Sequence, residues 1–289
     1  MHTFTEKMPR RSLLALLPAL LTACSGADLL NATVSTDSYR RTDALAYGAG
    51  PRQLLDVYQP AAGIRNAPMV VFFYGGNWSS GERGDYRFVG EALASRGIVT
   101  LVADYRLSPA FRYPAFVQDS ASAVRWAVDH AAEFGADEQR IFVMGHSAGA
   151  YNAAMVALDS RWLAAVGLAP TRLAGWIGLA GPYDFLPIVD PQARVAFNWP
   201  QTAADTQPII HASSASPPAL LLAPVEDSVV NPQRSTMAMA ARLRTRGVRV
   251  ESELFAGVSH VTLLASMAQV LRSRAPVLAR VTGFVQSAG

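Results

Sequence analysis

The stretch Arg140-Ile-Phe-Val-Met-Gly-His-Ser-Ala-Gly-Ala150 constrains this chain more than any other. An apolar run from Ile141 to Met144 meets Gly145-His146-Ser147-Ala148-Gly149, and a small-residue stretch from Ala150 to Leu158 follows. That order predicts a strand, a sharp turn and a helix. A serine in such a turn takes a strained backbone conformation, so the positions two before and two after it must lack bulk. Gly145 and Gly149 meet that demand. Ser147 is therefore expected at the tip of a sheet, at the positive end of the following helix, where a nucleophile is useful. A Gly-x-Ser-x-Gly string alone also arises by chance in loops rich in glycine and serine. Its weight here comes from the strand before it, the helix after it, and an acid and a histidine downstream.

The rest of the chain alternates in the same way. Gln53 to Tyr58 reads as an edge strand stopping at Pro60, and Pro68 to Tyr74 as a strand buried on both faces and ended by Gly75-Gly76. A helix is expected from Tyr86 to Ser95, a strand from Ile98 to Asp104, and a long amphipathic helix from Ala115 to Glu133. Beyond the turn come strands at Gly175 to Ala180, Pro218 to Ala223 and Val248 to Phe255. Helices are expected at Gln233 to Thr245 and, as a tail, His260 to Val285. Strands alternating with helices predict an α/β fold with a mostly parallel sheet covered on both faces, in one domain over residues 46–289. The irregular piece between Asp184 and Ser216 is expected to sit above the sheet's carboxyl edge as a small cap.

With 289 residues, about half hydrophobic and 16% charged, the chain has a sizeable core and is not disordered over most of its length. The net charge of +3 owes much to Lys7, Arg10 and Arg11 near the start, and no basic surface for nucleic acid is indicated. Those residues precede an apolar run from Leu13 to Leu21, too short to span a bilayer, so residues 1–23 read as a targeting signal. The run ends in Leu21-Thr22-Ala23-Cys24, which resembles the lipobox of bacterial lipoproteins. That resemblance implies a lipid on Cys24, the sole cysteine, and anchoring in the cell envelope. Ser25 rather than aspartate leans toward the outer membrane, facing the periplasm. Residues 24–45 are expected to be a tether.

A serine hydroxyl is a poor nucleophile until a base takes its proton, and the base needs an acid to fix its tautomer. Of five histidines, His2 lies in the signal, His130 in the long helix and His146 beside the serine, where neighbouring side chains point apart. His211 precedes any suitable acid strand. His260 stands in a loop after a strand and before the last helix, where the base belongs in this chain order. The acid is expected in the turn after the strand at 219–222, where Asp227, farther into the turn, is the better candidate and Glu226 its close competitor. A tetrahedral intermediate also needs backbone donors for its oxyanion. The amide of Ala148 is one, and the glycine pair in Tyr74-Gly-Gly-Asn-Trp78 offers the rest. No metal-ligand spacing or dinucleotide fingerprint occurs, so no cofactor is expected.

At this point the chain resembles the α/β-hydrolase superfamily, and within it the esterases related to hormone-sensitive lipase and kynurenine formamidase. The matching strings are Tyr74-Gly-Gly-Asn-Trp78, Asp104-Tyr-Arg-Leu107, Tyr113-Pro-Ala, Gly145-His-Ser-Ala-Gly149, Asp227-Ser-Val-Val and His260. The resemblance implies Ser147 as nucleophile, His260 as base and Asp227 as acid. It also implies the amides of Gly76, Asn77 and Ala148 as oxyanion hole. One departure stands out: the family's histidine before the glycine pair is Tyr74 here. Asp104 and Arg106 read as a structural, buried pair. The leading expectation is a serine carboxylesterase acting on small-acyl esters through an acyl-enzyme, with a small-molecule ester as substrate, no nucleic-acid partner and the membrane anchor at Cys24. An arylformamidase acting on an N-formyl group and a non-catalytic binding protein of the envelope are the alternatives.

Overall fold

Runs of Val, Ile, Leu and Phe that stay apolar on both sides of the backbone must be covered on both faces, and this sets the layering. The computed structural model describes residues 26–287. The expected signal and Cys24 lie outside the described residues. The chain runs α1 (Gly26–Ala32), β1 (Tyr39–Ala46), β2 (Leu54–Pro60), β3 (Ala67–Phe73), α2 (Arg87–Ala94), β4 (Val99–Ala103), α3 (Ala115–His130), β5 (Ala136–His146) and α4 (Ala148–Leu158). It continues with α5 (Ser160–Ala165), β6 (Leu173–Leu179), α6 (Pro191–Ala196), β7 (Ala219–Pro224), α7 (Ala238–Thr245), β8 (Val250–Phe255), α8 (His260–Ala265) and α9 (Val277–Ser287). Every residue of β3, β4 and β7 is buried, as their unbroken apolar sequences require.

The strands form one sheet in the order β1-β2-β4-β3-β5-β6-β7-β8. The pairs β1–β2 and β2–β4 are antiparallel, and all others are parallel. In a parallel sheet the carboxyl ends share one edge, and loops leaving that edge are where sites form. Register brings particular loops together. Phe73 pairs with Gly145, so the glycine pair after β3 and the turn after β5 leave the sheet side by side. Pro224 pairs with Phe255, so the loops carrying Asp227 and His260 are also neighbours.

Four expectations change. The segment expected to be a tether carries α1 and β1, so the folded unit begins well before residue 46. β1 is polar and exposed along most of its length, which hides it from a pattern reading. It is fastened by Arg41, whose guanidinium donates to the buried Asp56 carboxylate at 2.8 Å. β2 is consequently the second strand, not the edge. The expected helical tail from His260 is broken: α8 ends at Ala265 and α9 starts only after Pro276, which cannot sit inside a helix without losing a backbone bond. Finally, Asp104 and Arg106 are not partners. Asp104 takes Arg83 at 2.6 Å, whereas Arg106 pairs with Asp119 at 2.8 Å.

Candidate active site

Ser147 is the turn between β5 and α4, with φ 54° and ψ −122°. For a residue with a β-carbon that conformation costs of order 1–3 kcal/mol, and it persists only because the surroundings leave no alternative. Those surroundings are explicit. A β-carbon on Gly145 would meet the carbonyl oxygen of Gly149 at 2.1 Å, and one on Gly149 would meet that of Phe73 at 2.0 Å. Both are backbone atoms that cannot step aside. The two glycines are thus a steric requirement of the turn, as the sequence implied. Ala148 opens α4, so its N–H has no carbonyl one turn earlier to bond within the helix.

His260 is the first residue of α8, capped by the preceding Ser259, whose side chain and that of Thr262 satisfy each other's backbone N–H groups. Its Nδ1–H donates to Asp227 Oδ2 at 2.7 Å. This leaves Nε2 as the unprotonated nitrogen of the neutral ring. The other oxygen of Asp227 accepts from the amides of Val229 at 2.8 Å and Val230 at 3.0 Å. Burial pushes the Asp227 carboxyl up. The bonds from His260, Val230 and Val229 outweigh it and hold the group below the usual carboxylate range. Glu226, one residue earlier, is exposed.

His146 lies beneath these groups. Its Nε2–H donates to the backbone carbonyl of His260 at 2.9 Å, and the two rings stand 4.9 Å apart. Burial, with the neighbouring His260 adding to it, lowers the His146 imidazole to about 3, so it is neutral at any ordinary pH. It is a strut between the turn and α8. The remaining histidines are elsewhere: His130 stacks on Trp126, and His211 donates to the carbonyl of Asp205.

The glycine-pair loop is strained and pinned. Gly76 has φ 122°, Asn77 φ 50° and Trp78 φ 56°. A β-carbon on Gly76 would meet the Ser80 carbonyl oxygen at 2.3 Å. The pin is Trp78, which is 2% exposed. Its indole N–H donates to Asn152 Oδ1 on α4 at 3.0 Å. Its ring packs against Phe116, Tyr151, Phe185 and Phe197. Asn152 escaped the sequence reading. Its one signal is a polar residue on the otherwise apolar, fully buried α4. On the far side of the loop, the Asn77 side-chain amide donates to Gln192 on α6, tying the loop to the cap.

Tyr74, where the resemblance implied a histidine, is committed to partners of its own below the glycine pair. Its phenol donates to Asp104 Oδ1 at 2.7 Å and accepts from Arg52 at 2.6 Å. Burial raises that phenol far above its ordinary range. The ring is stacked between Tyr86 and Tyr105, and the Tyr105 hydroxyl donates to the Tyr74 carbonyl at 2.7 Å. The ordering of this loop base therefore comes from an aromatic stack and the Arg52–Asp104–Arg83 cluster.

Two cavities meet at Ser147. One, of about 470 Å³, is lined by Asn77, Trp78, Ala148, Phe185, Ile188 and Ala193, with the cap as its roof. The other, of about 610 Å³, is lined by Gly75, Gly76, Asn77 and His260 at its inner end and by apolar side chains beyond. Gly76, Asn77, Ala148, Ser147 and His260 therefore share one solvent-accessible cleft, with Asp227 behind His260 and its side chain wholly covered. Among the described residues no cluster of His, Cys, Asp or Glu has the makings of a metal site.

Comparison with known proteins agrees with this architecture. A probable isoprenylcysteine alpha-carbonyl methylesterase of Arabidopsis thaliana is 27% identical over 242 residues, covering 76% of this chain and 51% of its own. Carboxylesterase NlhH of Mycobacterium tuberculosis is 44% identical over 107 residues, 36% of this chain and 33% of its own. The chain thus spans only about a third to a half of the length of these curated relatives. Among solved structures, an esterase of Pyrobaculum calidifontis superposes with a TM-score of 0.74 at 24% identity, covering 90% of this chain and 89% of its own. A carbohydrate esterase from gut microbiota does so with 0.76 at 16% identity, covering 89% and 99%. The resemblance to the α/β hydrolases holds at the level of fold. Residues 55–242, well over half of the chain, match the BD-FAE family, and the protein belongs to that family within the α/β-hydrolase superfamily.

Proposed function

We propose that the protein is a serine carboxylesterase that hydrolyses small-acyl esters through an acyl-enzyme. The observation that carries this reading is the 2.7 Å bond from His260 Nδ1 to the covered Asp227 carboxylate, in a cleft where Ser147 is held in a strained turn. The esterase names of its relatives support the same class of reaction.

In this mechanism Ser147 Oγ attacks the ester carbonyl while His260 Nε2 takes its proton, and Asp227 stabilises the imidazolium that results. The negative oxygen of the tetrahedral intermediate accepts from the amides of Gly76, Asn77 and Ala148. Removing one such donor typically costs about 10²–10³ in rate. Collapse passes the proton from His260 to the leaving alkoxide. Water, deprotonated by the same imidazole, then attacks the acyl-serine and releases the acid. The roofed cavity of about 470 Å³ beside Trp78 suits a short acyl group. Turnover of p-nitrophenyl acetate well above that of N-formylkynurenine is the expected result. The reverse ranking would make the protein a formamidase, and neither activity would leave a binding protein.

Attachment to the cell envelope through a lipid on Cys24, at the outer membrane, belongs to the same proposal and rests on the signal-like sequence before it. Metabolic labelling with an alkynyl fatty acid is expected to mark the wild-type chain and to fail on Cys24→Ser.

A further inference from the structure

The larger cavity at Ser147 has a wall that a hydrolase sheet alone does not supply. Its inner end carries His260, Gly76 and Asn77, and its outer part is apolar, formed by Leu29 and Leu30 of α1, Phe88, Val261, Leu264 and Leu271. α1 comes from the segment that the sequence suggested was only a tether. Asn31 ties it down at two points: Asn31 Nδ2 donates to the Gly84 carbonyl at 2.9 Å, and Asn31 Oδ1 accepts from the Phe88 N–H at 3.1 Å. Leu30 packs against the core, while Leu29 is 61% exposed and overhangs the cavity. An isoleucine-sized apolar side chain left in water over a cleft is stabilised when a ligand covers it.

We infer that this cavity binds the alcohol half of the substrate, that this half is an apolar chain, and that α1 is the element that selects it. The inference rests on the esterase reading above. The assignment of halves follows from where the leaving group must be. The alkoxide oxygen takes its proton from His260 Nε2 as the carbon–oxygen bond breaks, so the alcohol lies on the His260 side of Ser147. His260 and its helix line this cavity, whereas Ala148, Trp78 and the cap line the other, leaving that one for the acyl group. The cavity offers about 610 Å³, and its outer walls of leucine, valine and phenylalanine match a medium-length alkyl or aryl alcohol in place of a sugar, whose hydroxyls would lose their water there unpaired.

The test separates the two halves by varying them independently: methyl, butyl, hexyl and octyl acetates against methyl acetate, butyrate and hexanoate. For the wild type, kcat/KM is expected to rise about threefold to fourfold per methylene along the alcohol series until the cavity is filled, mainly through KM. Leu29→Ser is expected to lower kcat/KM for octyl acetate about fivefold to tenfold while leaving methyl acetate and methyl hexanoate unchanged. Asn31→Ala, which frees α1 from α2, is expected to act on the same substrates in the same direction. Leu29 is largely exposed, so the serine variant tests the wall without threatening the fold. A flat alcohol series, or a Leu29→Ser loss shared equally by methyl acetate, would overturn the assignment while the esterase reading stands. Absence of turnover with every ester in both series would overturn the two together.

Discussion

The two cavities that meet at Ser147 are built in opposite ways. The smaller one has a wall frozen into the core: Trp78 is almost fully covered, bonded to Asn152 and surrounded by four aromatic rings, and it fixes a loop whose residues sit at positive φ. The larger one has a wall made by a seven-residue helix seated through Asn31, with Leu29 facing water. Strain needs an over-determined setting, so backbone amides that must be aimed within a fraction of an ångström belong on the first kind of wall. Selectivity for a flexible apolar chain needs only area, and the second kind of wall provides it.

This contrast predicts an order of effects. The largest belongs to the group behind the imidazole. Asp227→Asn keeps the shape of the site but reverses the hydrogen-bond character facing His260 Nδ1, and kcat is expected to fall about 10⁴-fold. Glu226→Gln, on the exposed neighbour, should leave kcat within about twofold, so steady-state rates of the two variants decide which carboxylate acts. Next comes the frozen wall. Trp78→Ala is expected to cost about 3–5 kcal/mol in a denaturant unfolding curve, whereas Leu29→Ser should stay within about 0.5 kcal/mol. Equal losses would erase the distinction between the two walls.

A smaller effect is set by His146. Its folded pKa of about 3 lies below the ordinary 6.5 of a free histidine. As pH falls below about 6.5 the unfolded chain takes up a proton that the folded chain refuses. This group's share of stability is therefore full above that pH and is lost progressively toward 3, at up to about 1.4 kcal/mol per pH unit. Asp227, also depressed, adds to the loss at the acid end. Denaturant midpoints measured between pH 7.5 and 4.5 should fall in the wild type and fall less in His146→Gln.

Legibility in the sequence followed the same division. The turn around Ser147 could be read because two backbone collisions at Gly145 and Gly149 force the residue choice. The strands β3 and β7 could be read because burial on both faces demands continuous apolar runs. Chain order pointed to His260 and to the turn after β7, and the position of Asp227 farther into that turn favoured it over Glu226; the bond between the two side chains agrees with that expectation. β1 was not legible, since an exposed edge strand held by Arg41 and Asp56 has no apolar alternation. Nor was α1, because a seven-residue helix gains its stability from Asn31 and a distant surface, not from local pattern. The separate partners of Asp104 and Arg106 are likewise long-range choices, since residues two apart in sequence point to different neighbours.

The mechanism stands or falls with Ser147 as a nucleophile made reactive by His260. The decisive measurement is to treat the full chain with a fluorophosphonate probe and locate the adduct by peptide mass spectrometry. One adduct on Ser147, formed at least about 10³-fold more slowly in His260→Ala, is the predicted result. No adduct on Ser147, or labelling there that proceeds undiminished without the imidazole, would contradict it.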